Sequence, residues 1–240
     1  MKVLALDTSN QPMSVALLDD QQVVAQKTTT TQLNHSVQLM PTVVQLMADV
    51  DWQPAMLDRI VVAQGPGSYT GLRIAVTTAK TLAATLNIEL VGVSSLRVLA
   101  AGATESTGII SPLFDARNTQ LYAGAYRFEN GELVTVLPDQ HTNLEAWTKA
   151  LAQLKEPVTL VGETTRFHDD LVAALKDQVS FVEGDLNLPN AGILGQIGLK
   201  MAPITDIDGF VPNYLRLSPA EAQWAAAHPG ETHTNYVEEV

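Results

Sequence analysis

The 240-residue chain predicts an α/β fold in which a βββαβα unit occurs twice, giving two subdomains. Three observations carry this. An apolar strand running into aspartate opens the chain (KVLALDTS, 2–9), and a second one follows at IISPLFDAR (109–117). Each leads into a hairpin pattern, a helix, a strand and a helix. LALDTSN (4–10) and PLFDARN (112–118) also share Leu, Asp and Asn at one offset, as an internal duplication would leave them.

Residues 2–9 form a continuous apolar run, the pattern of a strand buried on both faces. With one Lys and an early Asp7, the stretch reads as a first strand and not as a signal peptide. MSVALLDD and QVVAQKTTTT (13–20 and 22–31) predict a hairpin turning near Asp19–Gln22. A helix is expected over 34–50, then the strand RIVVAQ (59–64). QGPGSYTGLRIAVTTAKTLA (64–83) brings a glycine-rich turn and a second helix over 69–86, and VGVSSL (91–96) closes the first half. In the second half, LYAGAYRF and ELVTVL (121–128 and 132–137) predict a hairpin at Glu129–Asn130–Gly131. A helix (143–154), the strand VTLVGE (158–163) and another helix (167–177) follow. A further helix is expected over 189–201, and FVPNYLR (210–216) leads into a last one near 218–227.

A repeated βββαβα unit is the actin-like, ribonuclease-H-like ATPase architecture of actin, Hsp70 and sugar kinases. The expected subdomains are 1–103 and 104–225, with the last helix free to pack back on the first. An acidic flexible tail is expected over 226–240.

Charge narrows the function. Fourteen basic residues stand against 26 acidic ones, a net charge of −12 with no basic run. Affinity for nucleic acid rests largely on Lys and Arg neutralising phosphates, so other chains would do any gripping. The absence of cysteine excludes disulfides and thiolate chemistry. Without a targeting segment or an apolar run of about 18 residues, the expected place is the cytoplasm, away from membranes.

The glycine stretch invites a phosphate-loop reading and fails its tests. A Walker loop needs G-x-x-x-x-G-K-[ST], but Leu72–Arg73 stands where Lys–Ser/Thr is required. In G-x-G-x-x-G, Gly65 and Gly67 fit and Thr70 takes the third position. An anion site on the helix N-terminus stays open. Beyond the glycines, Leu72, Ala75, Val76, Ala79, Leu82, Ala83 and Leu86 make one core face, while Ile74, Thr78, Thr81 and Thr85 make a small, uncharged opposite side.

The preceding helix has two adjacent apolar stripes: Val37, Met40, Val44 and Met47, and Leu39, Val43, Leu46 and Val50. Together they cover roughly half the cylinder, more than the ~100° that one core contact explains. His35, Gln38, Thr42, Gln45 and Asp49 hold the polar side, and Pro41 is expected to kink the helix. Burial within one domain would account for part of this. The surplus predicts a helix–helix interface with another protein, with His35, Leu39, Val43, Leu46, Val50, Ile74, Thr78, Thr81, Ala83 and Thr85 as candidates.

MKVLALDTS, the N-H-S before MP, QGPGSYTGLRIAVTTAKTLA, PLFDARNTQLYAGAY and VPNYLRLSPAEAQW together resemble the TsaB family over residues 1 to about 225. This family is the bacterial dimerisation subunit of the tRNA threonylcarbamoyladenosine machinery. The resemblance implies an actin-like fold and a non-catalytic partner of TsaD, which transfers a threonylcarbamoyl group to the adenosine next to the anticodon of tRNAs reading codons that start with A. It also implies that TsaE docks on the pair, that the chain alone forms a homodimer, and that tRNA is met only indirectly. ATP and a metal would belong to partner subunits, with no cofactor here. TsaD carries a metal-binding H-x-x-x-H after its similar glycine segment, whereas Ser95 and Leu99 occupy those places in SSLRVL. Asp7, Thr8, Ser9, Gly65, Gly67 and Asp115 then read as a vestigial phosphate loop. The second copy, Asp115–Ala116–Arg117–Asn118, lacks glycines, and Arg117 is expected to pair with Asp7 across the cleft. The alternatives are a stand-alone actin-like ATPase or phosphotransferase working through Asp7 and the 65–71 loop, or a metallopeptidase.

Overall fold

The computed structural model describes residues 1–30 and 34–216. Its first sheet holds β1 (Lys2–Asp7), β2 (Met13–Asp19), β3 (Gln22–Thr29), β4 (Arg59–Gly65) and β5 (Glu89–Ser94) in the order β3-β2-β1-β4-β5. The second holds β6 (Ile109–Asp115), β7 (Gln120–Glu129), β8 (Glu132–Asn143), β9 (Val158–Gly162) and β10 (Val179–Phe181) in the order β10-β9-β6-β7-β8. Both sheets therefore place an antiparallel meander beside two parallel strands, with the aspartate-ended strand in the middle. The duplicated α/β architecture is present, and Asp7 and Asp115 end equivalent strands.

Local chemistry explains the boundaries. The first hairpin turns at Asp20, which takes the left-handed φ of 49°, and the second at Asn130–Gly131 with φ of 53° and 82°. The side chains of Asn34, Ser68, Asn143 and Asn190 accept backbone N–H bonds at the starts of α1 (His35–Asp49), α2 (Tyr69–Leu86), α4 (Leu144–Leu154) and α6 (Ala191–Leu199). Pro41 lies within α1 without ending it.

The structure adds elements that the pattern does not predict. Residues 95–102 form α3 (Ser95–Gly102), capped by the Ser94 side chain, where the strand was expected to continue to 96. Leu96, Leu99 and Ala100 of this helix pack with the second sheet, while Val98 packs with the first, so α3 is wedged between the lobes. β8 runs on to Asn143, and β10 supplies a fifth strand. The helix expected over 167–177 is α5 (His168–Leu175).

The observed packing departs from the expected second subdomain, 104–225, near its C-terminal end. Ala191 and Leu194 of α6 join the core of the first sheet, and Ile204, Ile207 and Phe210 pack against its other face. Residues 191–210 thus return to the first lobe. Arg59 fastens them: its Nη1 donates to the carbonyls of Gly198 (2.7 Å), Leu199 (3.3 Å) and Met201 (3.2 Å) at the C-terminal end of α6. The helix expected near 218–227 and the tail over 226–240 lie outside the described residues. Among the described residues, no helix is long and apolar enough to cross a membrane.

Candidate functional site

Two neighbouring features carry the functional candidates: a cleft between the lobes and the outer face of α1 and α2. The cleft encloses about 630 Å³ and is lined by the β1–β2 loop, the α2 N-terminus and the β6–β7 turn.

Its floor is the segment read as a vestigial phosphate loop, which packs tightly against the start of α2. Asp7, Thr8 and Ser9 are all buried. The Thr8 hydroxyl donates to the Gly71 carbonyl at 2.6 Å, and the Ser68 N–H donates to the Ser9 carbonyl at 2.7 Å. A Cβ at Gly67 would collide with the Ser9 carbonyl, and one at Gly71 with the Thr8 carbonyl. These two glycines let α2 press against the loop after β1. Gly65, at φ 117°, turns the chain beside the Asn213 carbonyl.

Burial pushes the Asp7 carboxyl above its ordinary range; the Ser9 N–H, donating to its Oδ1 at 2.8 Å, and the nearby His35 oppose the rise. The expected Arg117–Asp7 pair does not form, because Asp7 is sealed beneath Ser9. Asp115 is the acid engaged across the mouth: Arg166 Nη1 donates to its Oδ2 at 2.6 Å, and the Arg117 N–H donates to its Oδ1 at 2.7 Å. Arg117, Asn118 and Thr119 all take positive φ (67°, 50° and 60°), which turns the chain back toward β7 and leaves the Arg117 side chain exposed on the cleft wall.

The helix pair needs a correction at residue level. Leu39 (1% exposed), Val43 (3%) and Leu46 (5%) of α1, and Ala83 of α2 (0%), pack into the chain's own core. These four cannot also meet a partner. Val50 is partly buried against the same core. The surplus lies one stripe round: Val37 is 66% exposed, Val44 62% and Met40 39%. Beside them α2 presents half-buried Ile74 and Thr78 and exposed Thr81 and Thr85. His35 turns from this stripe toward the cleft, where its Nε2 lies 2.9 Å from the Gln11 carbonyl. The sequence pattern placed the interface on the Leu39, Val43, Leu46 and Val50 stripe, but contact of α1 with β2 and β3 turns that stripe into the core.

Ser95 (1% exposed) and Leu99 (2%), at the places of the two TsaD histidines, are core residues of α3. Among the described residues there is no group of three His, Cys, Asp or Glu side chains that could hold a metal ion.

Comparison with known proteins adds to this geometry. Residues 22–224 match the model of the TsaD family, tRNA N6-adenosine threonylcarbamoyltransferase. The chain is 44% identical over 225 residues to the Bacillus subtilis tRNA threonylcarbamoyladenosine biosynthesis protein TsaB, spanning 93% of this chain and 98% of that protein. Identity to the Escherichia coli protein of the same name is 33% over 134 residues, 55% of this chain and 58% of that one. A solved Pseudomonas aeruginosa protein with similarity to peptidase YeaZ superposes with a TM-score of 0.75 at 26% identity, covering 90% of this chain and 99% of that one. Given these matches on the observed fold, the chain belongs to the TsaD family and, within it, to the TsaB proteins of tRNA threonylcarbamoyladenosine biosynthesis.

Proposed function

We propose that this chain is a non-catalytic subunit that pairs with TsaD through the outer face of α1 and α2 and supports threonylcarbamoyl transfer to tRNA. The observation that carries the reading is the open stripe of Val37, Met40 and Val44, two of them more than 60% exposed, beside the small-residue side of α2. A flat apolar helix pair of this kind buries well against a like pair and poorly against water. In this reading TsaE docks on the pair, and ATP and the metal ion work in the partner subunits, in the cytoplasm. Alone, the same stripe joins two copies about a twofold axis.

The tightly packed loop supports a non-catalytic role over a stand-alone ATPase. Thr8 and Ser9 are buried with their carbonyls packed against Gly71 and Gly67, and the Ser68 side chain already caps the helix start. A metallopeptidase is disfavoured because positions 95 and 99 carry Ser and Leu in the core.

The test is to mix the purified chain with TsaD and weigh the product by light scattering. A one-to-one complex is expected. Separate elution of the two proteins, or steady Mg-ATP turnover by the isolated chain, overturns the proposal.

A further inference from the structure

The chain is acidic, yet its arginines are not evenly spread. Five of its basic side chains are paired with carboxylates well away from the cleft: Lys2 with Asp19, Arg59 with Glu89, Arg127 with Glu129 and Glu156, Lys149 with Glu145, and Lys200 with Glu132. Lys80 and Arg97, also away from the cleft, reach backbone carbonyls and not carboxylates. Arg117 and Arg216 are exposed on the cleft wall, on the β6–β7 turn and the segment after Phe210, and Arg73 is exposed on α2 one turn beyond Tyr69. Contacts of Arg73 and Arg216 among the described residues are with uncharged groups: Arg73 with the Tyr69 hydroxyl at 3.5 Å and its ring at 5.5 Å, Arg216 with the Ala116 carbonyl at 3.4 Å. Arg166 adds a fourth cation, held on Asp115. Between Arg73 and the cleft, Tyr69 is 51% exposed and stacks on Tyr214 with ring centroids 4.7 Å apart.

We infer that this rim is a contact surface for single-stranded RNA of the loop type. Guanidinium groups on three separate elements suit successive phosphates of an extended strand better than one compact phosphate group. A half-exposed tyrosine between an arginine and a second tyrosine makes an aromatic–cationic cluster against which an unstacked base can pack, and single-stranded RNA presents such bases in loops. The floor beneath is closed by Thr8 and Ser9, so the ligand lies across the mouth. Two carboxylates also line the cleft, Asp115, which Arg166 neutralises, and Glu163, so Arg117, Arg216 and the neighbouring Arg73 supply the net positive charge there. The inference revises the expectation of purely indirect tRNA contact. It rests on membership of a tRNA-modification family and does not require the TsaD pairing.

The experiment is fluorescence anisotropy of the full chain with a labelled anticodon stem–loop RNA at low salt, with a blunt RNA duplex as control. The stem–loop is expected to bind more tightly than the duplex. Arg73→Ala, Arg117→Ala and Arg216→Ala should each weaken it about 3- to 10-fold and lower the salt slope by about one. Tyr69→Leu should weaken stem–loop binding about tenfold with the salt slope unchanged. An unchanged affinity in the triple arginine variant overturns the inference, as does equal loss in a Lys155→Ala, Lys176→Ala control. Complete displacement of the RNA by stoichiometric ATP also overturns it, in favour of a free-nucleotide site. Light scattering of the arginine variant with TsaD separates the two readings: retained pairing with lost RNA binding supports this inference, and retained pairing with unaltered RNA binding removes it while leaving the scaffold role in place.

Discussion

The hydroxyl of Thr8 donates to the carbonyl of Gly71 at 2.6 Å, joining the loop after β1 to the first turn of α2 across 63 positions of sequence. This bond, with the close approach that Gly71 permits, holds the start of α2 against the loop after β1. Thr8→Val should lower stability by about 1 kcal/mol through the lost hydrogen bond. Gly71→Ala should cost more, about 3 kcal/mol, because the new methyl meets backbone and not a movable side chain. Urea midpoints of the two variants check the order.

Neighbouring valines on α1 separate folding from partner binding. Val44 is 62% exposed and Val43 3%. Val44→Glu should leave the melting temperature within a degree or two of the parent and weaken association with TsaD at least 100-fold, since a carboxylate would be buried unpaired in the joint. Val43→Glu should unfold the first lobe by placing the same carboxylate in the core, at about 4 kcal/mol or more. Circular dichroism and light scattering on both variants check this. Failure of Val44→Glu to affect pairing would move the interface elsewhere.

Asp7 gives the protein a pH dependence of known sign. Burial raises its folded pKa above the unfolded value, so the folded state holds the proton more tightly. The stability it contributes is fully present below the unfolded carboxylate range and is lost as pH rises through the raised value. Asp7→Asn removes this dependence and can still accept the Ser9 N–H bond. The variant should therefore gain stability relative to the parent as pH increases from about 4 to 8. Thermal melts across that range should show the two curves diverging toward neutral pH.

Arg59 anchors α6 and the segment after it. Its side chain is 8% exposed, donates to three carbonyls near the α6 C-terminus and reaches Glu89 Oε2 from Nε at 2.7 Å. Arg59→Met should cost about 3 kcal/mol, because buried carbonyls lose charge-assisted donors. Hydrogen exchange should show protection lost first in 191–199, before the central strands of the first sheet.

Much of the fold was readable from residues alone, because strands and helices leave periods and turns leave marker residues. The aspartate-ended strands, the Asn130–Gly131 hairpin and the asparagine and serine caps are local signals. α3 was missed because its start is hidden in a run of small and apolar residues that also reads as strand. β10, three residues long, has too few positions to show alternation. The return of 191–210 to the first lobe left no local mark at all.

By itself the sequence determined the duplicated α/β unit, the absence of thiol chemistry, the acidic balance and the surplus apolar surface on α1, since each depends on residue identity or spacing. Only the tertiary structure decided which stripe of α1 remains open, that Thr8 and Ser9 are buried against the start of α2, and that Arg117 and Arg216 meet at one cleft. The physical reason is that periodicity specifies a face only up to rotation, and composition counts charges without placing them. Packing against β2 and β3, and the meeting of α2, the β6–β7 turn and residue 216 at one cleft, set those rotations and positions.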